Sequence, residues 1–469
     1  MSRPRQHTAA QVLEAIDAAG TASVADLQRT LGASQPTLAR RIAELGDRVV
    51  AIGASRRRRY AAARAVWGNQ TRWPVYRIDS AGAPSRVGIL HALRGNAWFM
   101  AFDRDEPCFA HGDFRDGLYP DDLPWFLLDV RPQGFLGRAF ARRHAVELDV
   151  GIDPERWGAD AILMSMLRHG DDLPGNLVVG DLALQHAQRN AMAGVDAVQE
   201  AECAERYAQM ARAAIAGESP GSSAGGEQPK FTARVESASG DTRHVIVKFA
   251  APGAGPAARR WADLLRCEAH AANALATAGL PASPTRIVEA GEFLCLESAR
   301  HDRVGAHGRR GQVSLRALDA AYFGRNDDWT RAAWRLESAG WLDSRHAECL
   351  RVLHAFGRLI GNSDMHFGNI SLTRLRALPL ELVPSYDMLP MRYAPAATGE
   401  VRSPDLDLAP PLPDEWPAVD RALPIAREFW ARVADDGSID GTMRRVAGLH
   451  LDAIRKITEW PRASAAPAD

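Results

Sequence analysis

Lysine is almost missing from this chain. Of its 57 basic residues only Lys230, Lys248 and Lys456 are lysines. Arginine fills every position where a generic positive charge suffices, so a retained lysine marks a place that wants a compact point charge, such as one on a phosphate. Cysteine is scarce too: Cys108, Cys203, Cys267, Cys295 and Cys349 are scattered, with no C-x-x-C pair. That excludes a disulfide framework and a zinc finger, and fits a reducing cytoplasm. No uncharged apolar run approaches the roughly 18 residues of a membrane span. The N-terminus, Met1-Ser2-Arg3-Pro4-Arg5-Gln6-His7, lacks an apolar signal core. A net charge of −1 excludes a globally basic nucleic-acid binder. With 469 residues, 46% hydrophobic and 25% charged, the composition is that of a globular protein too long for a single core.

The charge is unevenly spread. Residues 1–66 carry eleven arginines against five acidic residues, a local +6 on a near-neutral protein. Here the apolar spacing of Ala9, Val12, Leu13 and Ile16 predicts a short helix closed by Gly20. Ser23 caps a second helix that Gly32 stops. Ser34 caps a third, with Pro36 in its first turn and Leu38, Ile42 and Leu45 on one face. Two short strands, 49–53 and 59–61, flank Arg56-Arg57-Arg58. This is the pattern of a winged helix-turn-helix, whose third helix enters the major groove while the wing lies on phosphates. Gln35, Thr37 and Arg41 are the candidate base readers, and Arg40, Arg56, Arg57 and Arg58 the backbone contacts. The competing interpretation is a solvated arginine linker beside a small helical bundle.

Residues 67–80 read as a linker. Strand-like pieces (75–78, 97–102, 177–179) alternate with helical ones up to about residue 215. Beyond it, a Gly/Ser segment precedes strands at 231–235 and 244–249, a helix over 261–277 ended by Gly279, and strands at 286–289 and 293–297. From 312 onward the chain reads as mostly helical, with an Ala/Pro-rich tail beyond Trp460 expected to be disordered.

The most informative segment is Gly361-Asn362-Ser363-Asp364-Met365-His366-Phe367-Gly368-Asn369, followed by an apolar strand-like run and Tyr386-Asp387. An Asp and an Asn separated by four residues, with a second Asp downstream, is how protein kinases arrange a catalytic loop and metal-binding Asp. Asp364 would orient the acceptor hydroxyl, while Asn369 and Asp387 would hold Mg²⁺ against nucleotide phosphates. His366 would bond near Asp364 or the transferred phosphate, or else buttress the loop. Lys248, in Val-Ile-Val-Lys-Phe, has the strand context of a phosphate-touching lysine, and Glu268 on the next helix is its natural partner. The Ser222-Ser223-Ala224-Gly225-Gly226-Glu227-Gln228-Pro229-Lys230 stretch offers backbone amides and hydroxyls to an anion.

Ser-Ser-Ala-Gly-Gly-Glu-Gln-Pro-Lys, Val-Lys-Phe, Glu-Ser-Ala-Arg-His-Asp-Arg, Gly-Asn-Ser-Asp-Met-His-Phe-Gly-Asn and Ser-Tyr-Asp-Met, in that order, resemble the HipA family of toxin–antitoxin serine/threonine kinases. The resemblance covers roughly residues 75–430, and the appended N-terminal module resembles the YjjJ-like (HipH) branch. It implies an α+β fold: a winged helix-turn-helix plus a two-lobed, protein-kinase-like domain with a mostly helical C-terminal lobe. It also implies ATP and Mg²⁺ as cofactors and Asp364 as the catalytic residue, with Asn369 and Asp387 as metal ligands. ATP contacts would come from Lys248, Glu268, Gln228, Lys230, Ser223, Gly225, Gly226 and His366, with adenine held by backbone near Glu297, Ser298, Ala299 and Arg300. Ser222 or Ser223 would be autophosphorylated. The implied substrate is a protein, with an aminoacyl-tRNA synthetase or another translation protein foremost. Gly368 stands where the family often has Lys, and Ala299 where an acidic residue is common.

The expected division is 1–66 DNA-binding, 67–215 an N-terminal subdomain, 216–310 a nucleotide-binding sheet lobe, 311–460 a helical catalytic lobe, and 461–469 a tail. Partners would be a protein substrate and DNA, with no membrane, and a homodimer is compatible with the winged-helix module. The rival functions are a transcription regulator whose kinase fold only senses nucleotide, and a small-molecule kinase.

Overall fold

The computed structural model describes residues 7–193, 197–217, 228–373, 375–401, 406 and 408–460. The chain is a mixture of helices and antiparallel-rich sheets in two compact units. One comprises residues up to Asp79, Ala83–Arg131 and Arg156–Arg189; the other comprises Ser80–Gly82, Pro132–Glu155 and everything from Asn190.

The first unit begins with α1 (Ala9–Ala18), β1 (Ala22–Ser23), α2 (Val24–Leu31), α3 (Gln35–Leu45), β2 (Val49–Ile52) and β3 (Arg59–Ala62). Local chemistry sets these boundaries. Thr8 and Gln11 form a reciprocal capping box on α1, Ser23 and Asp26 another on α2, and Ser34 accepts the Thr37 amide at the head of α3. Gly32 ends α2 at φ +65°, a left-handed conformation that glycine adopts without steric cost. Val12, Ile16, Leu27, Leu38 and Leu45 converge in the core of this module. The strands form a sheet in the order β1-β3-β2. Val50, Ile52 and Ala61 pack onto Leu93 and onto Phe99 of the following sheet, Leu93 lying just past the end of one of its strands.

That sheet contains β4 (Arg72–Ile78), β5 (Pro84–Ala92), β6 (Trp98–Phe102), β7 (Leu118–Tyr119) and β8 (Leu177–Val179), ordered β7-β6-β5-β4-β8. Residues 67–80 are therefore not a linker: β4 is an interior strand, paired with β5 along its length and with β8 over Val75–Arg77. Pro74 lies just beyond the β8 pairing, where its missing N–H costs the ladder nothing. A buried bidentate pair, Arg77 with Glu106 at 2.9 and 2.8 Å, closes this layer. Two helices follow in sequence, α4 (Gly134–Leu148), which groups with the second unit, and α5 (Ala159–His169); α6 (Asp181–Ala193) comes next.

In the second unit, β9 (Ala197–Gln199), α7 (Cys203–Ala216), β10 (Lys230–Glu236), β11 (Thr242–Ala250), α8 (Pro256–Thr277), β12 (Thr285–Ala290) and β13 (Phe293–Ala299) build a sheet ordered β12-β13-β11-β10-β9. A lobe boundary at 215/216 falls too late, because β9 pairs in parallel with β10 and α7 packs on the sheet. One face carries Val245, Val247 and Phe249 against Tyr207 and Ala211 of α7. The other carries Ala250, Leu294 and Leu296 against Leu265 and Ala269 of α8.

Beyond it come β14 (Arg303–Val304), β15 (Gly308–Arg309), β16 (Gln312–Ser314), α9 (Leu315–Tyr322), α10 (Trp329–Ser338), α11 (Ser344–Leu359), β17 (Ser371–Thr373), β18 (Glu381–Leu382), α12 (Trp416–Asp435) and α13 (Gly441–Thr458). Ser314, Asp328 and Asp343 cap α9, α10 and α11. This part is mostly helical, with a small sheet ordered β16-β17-β18 on either side of the 361–369 segment in sequence. The tail 461–469 lies outside the described residues. Among those residues no helix is long and apolar enough to cross a membrane.

Candidate functional site

Strand alternation aims Lys248. With Val247 and Phe249 facing α7, residue 248 must face α8, and three turns into α8 stands Glu268. The Lys248 ammonium meets both Glu268 oxygens at 2.7 and 2.6 Å, and Asp387 Oδ1 at 2.7 Å. Lys248 and Glu268 are buried, whereas the Asp387 side chain is one-third exposed. Burial pulls the Lys248 ammonium down, but Asp387 and Glu268 together hold it above its ordinary value, so it stays charged. For Asp387, burial is outweighed by the charges of Lys248 and Lys230, which keep its carboxyl below the usual range. Glu268 is shifted the other way, pushed up by burial and by the neighbouring Asp387 against the pull of Lys248. Asp387 sits at φ +54°, left-handed backbone that the surrounding structure must hold. Lys230 lies directly across the hairpin from Lys248, and its ammonium has no hydrogen-bond partner among the described residues.

The 361–369 segment links α11 to β17 and is braced by its own polar groups. Asn362 Oδ1 accepts the Asp364 amide at 3.0 Å, and Asn362 Nδ2 reaches back to the Asp387 carbonyl at 3.5 Å. Asn369 donates its side-chain amide to the Asp364 carbonyl at 2.8 Å, which leaves its Oδ1 as the atom available to a cation. A carboxylate oxygen of Asp387 and this neutral oxygen are the donor types that a hard divalent ion prefers. His366 caps the 3₁₀ turn Phe367–Asn369. Asp364 and His366 are about half exposed, with Nε2 3.9 Å from Oδ1. The side chains of Lys248, Glu268 and Asp387 are thus in contact, and Asp364 and Asn369 are joined to them through Asn362.

Other candidates are placed differently. Glu297 points to the α7 face, away from Lys248, where it takes hydrogen bonds from Tyr207 at 2.6 Å and from Arg286 at 2.5 and 3.1 Å. Its side chain is therefore not a ligand contact on the Lys248 side. Ser298, with opposite parity, lines a small gap shared with Glu268 and Asp387. The Arg300 guanidinium is committed to Asp302 at 3.0 and 2.9 Å, and the Arg300 amide donates to His244 O. Ala299 is paired with Val245 in the sheet. Gln228 donates to the Phe249 carbonyl. Ser222, Ser223, Gly225 and Gly226 lie outside the described residues.

In the N-terminal module, Gln35, Arg40, Arg57 and Arg58 are exposed, and the Thr37 hydroxyl bonds Ser34 at 2.9 Å. The side chain of Arg56 is not among those described. Arg41 is not a free reader: its guanidinium grips Glu44 at 2.8 and 2.9 Å and the His7 carbonyl at 2.7 Å.

The structure adds residues that spacing did not flag. Asn362 is the brace between loop and Asp387; its place inside the motif was the available signal. Tyr386 Oη meets Ser371 Oγ at 2.7 Å and donates to Gly368 O at 3.2 Å. His450 of α13, fully buried and stacked on Trp430, bonds Tyr393 at 2.7 Å and Leu359 O at 3.1 Å. A cavity of about 230 Å³ flanks the loop, with Arg358, Gly361, Asn362, Ser363, Arg392 and Trp460 among its walls.

Comparison with known proteins gives three results. A family model described as the YjjJ-like toxin, middle domain, matches residues 69–188, and one described as the HipA-like C-terminal domain matches residues 222–437. The Toxin YjjJ of Escherichia coli K12 is 36% identical over 446 residues, 94% of this chain and 96% of that protein. Among solved structures, a Shewanella oneidensis MR-1 HipA toxin, from a complex with HipB and operator DNA, is similar over 83% of this chain and 100% of its own, at 12% identity and a TM-score of 0.43. The Helicobacter pylori proinflammatory kinase CtkA is similar over 48% of this chain and 90% of its own, at 10% identity and a TM-score of 0.32.

Proposed function

Since the chain belongs to the YjjJ-like toxin family and carries its HipA-like C-terminal domain, we propose that it is an ATP- and Mg²⁺-dependent protein serine/threonine kinase fused to a DNA-binding winged helix-turn-helix. The observation that carries this reading is the meeting of Lys248, Glu268 and Asp387 beside a loop that fixes Asp364 and Asn369. The Lys248 point charge would lie on the α/β-phosphates of the nucleotide, with Glu268 holding it in place. Asp387 and Asn369 would hold the metal, which would neutralise phosphate charge when bound. Asp364 orients the acceptor hydroxyl and takes its proton, an ordinary carboxylate task in a reaction governed by positioning. Lys230 adds a second cation for the triphosphate, at the end of a Gly/Ser segment whose Ser222 or Ser223 is the self-phosphorylation site. The acceptor is a protein, with a translation protein foremost.

The test is incubation of wild type and Asp364→Ala with labelled ATP, then mapping of the label. Label on Ser222 or Ser223 of wild type alone supports the reading. Label only on free metabolites, or none, overturns it.

For the N-terminal module, support comes from its +6 charge, the capped third helix, and the exposure of Gln35, Arg40, Arg57 and Arg58. Binding its own upstream DNA would join toxin and repressor in one chain. A gel shift with upstream DNA tests this, and binding that survives deletion of residues 1–66 defeats it.

A further inference from the structure

Arg316 stands beside the loop without any role assigned by motif spacing. It is the second residue of α9 and is exposed. Its Nη2 lies 3.2 Å from His366 Nδ1, and its other N–H groups have no partner among the described residues. The same Nδ1 accepts the Gly368 backbone amide at 3.0 Å. An amide N–H and a guanidinium can only donate, so Nδ1 carries no proton and the neutral ring bears its hydrogen on Nε2. That nitrogen is the one facing Asp364, at 3.9 Å from Oδ1.

The backbone that carries the ring is fixed. The His366 carbonyl accepts the Trp329 indole at 3.2 Å and the Asn369 amide at 3.0 Å. Gly368 makes the arrangement sterically feasible: a Cβ there would lie 2.6 Å from Arg316 Nη2 and 2.8 Å from His366 Cε1. An exposed arginine ordered against an imidazole gives up side-chain entropy without an ion pair in return, and it adds nothing to the core. Its contact is instead directed at one atom of one ring.

We propose that Arg316 and Gly368 are positioning residues. They lock His366 in the Nε2–H tautomer with that N–H turned toward the Asp364 carboxylate, so that Asp364 presents a single orientation to the acceptor hydroxyl. The last clause rests on the kinase reading above; the tautomer lock does not. Arg316 acts through His366 and touches neither reacting atom.

The test uses the full chain. Imidazole ¹⁵N spectra, with the His366 signal assigned by its loss in His366→Ala, report the tautomer in the wild type, in Arg316→Ala and in Arg316→Lys. The expected result is a pure Nε2–H signature in wild type, a mixed one in Arg316→Ala, and recovery in Arg316→Lys. In parallel, Arg316→Ala should lower kcat about tenfold, as when a positioned carboxylate loses its fixed orientation, with KM for ATP unchanged. It should cost nothing further in a His366→Ala background. An Nε2–H signature unaltered by Arg316→Ala overturns the proposal, as does an equal loss of kcat with and without His366. A wild type that transfers no label sinks the kinase reading, and the spectra then still decide the lock.

Discussion

The Lys248 ammonium and an Asp387 carboxylate oxygen lie 2.7 Å apart, although 139 residues separate them in the chain. One belongs to the five-stranded sheet and the other follows the small β16-β17-β18 sheet. The contact ties these parts together, and Glu268 completes it from α8.

Replacing Lys248 by Met should therefore cost both activity and stability. It leaves Glu268 buried without a cation and Asp387 without its partner. Breaking a buried pair costs about 3–5 kcal/mol; the one-third exposure of Asp387 puts the expected loss toward the lower end. Denaturant unfolding measures the stability change, and labelled-ATP transfer should fall to background. A variant as stable as wild type would mean that the ion cluster is not held as described.

Asp364→Asn should behave in the opposite way. Asp364 is half exposed and its backbone amide and carbonyl, not its side chain, make the bonds that hold the loop. Unfolding should be unchanged, while phosphoryl transfer falls about 10²- to 10⁴-fold, the contribution of a general base. Retention of most of the transfer rate would remove Asp364 from its assigned role.

His450 predicts a pH dependence of stability. Burial, with a smaller push from Arg392, lowers its imidazole to about 3 from the ordinary 6.5. The unfolded chain then binds a proton that the folded chain refuses across that interval. Stability is full above pH 6.5 and is lost as pH falls toward 3. Thermal melts of wild type and His450→Gln at pH 7.5 and 4.5 should show a shallower decline for the variant, and equal declines would contradict this.

On DNA, Arg57 and Arg58 should act as phosphate contacts. Replacing both by Ala should weaken binding similarly for all sequences. It should also reduce the slope of log K against log salt by about 0.9 per lost contact. An unchanged slope would place the wing away from the duplex.

How far sequence reaches depends on the range of the determining interaction. The three helices of the first 45 residues are legible because Ser23, Ser34 and Gly32 set their ends through bonds a few residues long. The 361–369 loop is legible because its polar residues sit within nine positions and brace one another. Within residues 67–80 only 75–78 read as strand-like and the rest as a linker, because Trp67 and Pro74 look like loop residues; pairing with 84–92 and 177–179 makes one strand of Arg72–Ile78. Arg41 resembles a groove reader until Glu44 and the His7 carbonyl claim it. Nothing near Arg316 announces that it will reach His366, fifty residues on.

Composition and spacing alone settled that the chain mixes helices with strands and is rich in arginine and poor in lysine. They also placed the candidate site residues in a few short motifs, and caps, alternation and turn chemistry are readable because they act over neighbouring residues. Which face of a strand is turned to which helix was decided only by folding. Parity along β13 separates Leu296 from Glu297, but not until α7 and α8 take opposite faces does Glu297 become a buried structural acceptor while Lys248 becomes the cation at Asp387. Such assignments depend on burial against distant elements, and burial is a property of the assembled chain.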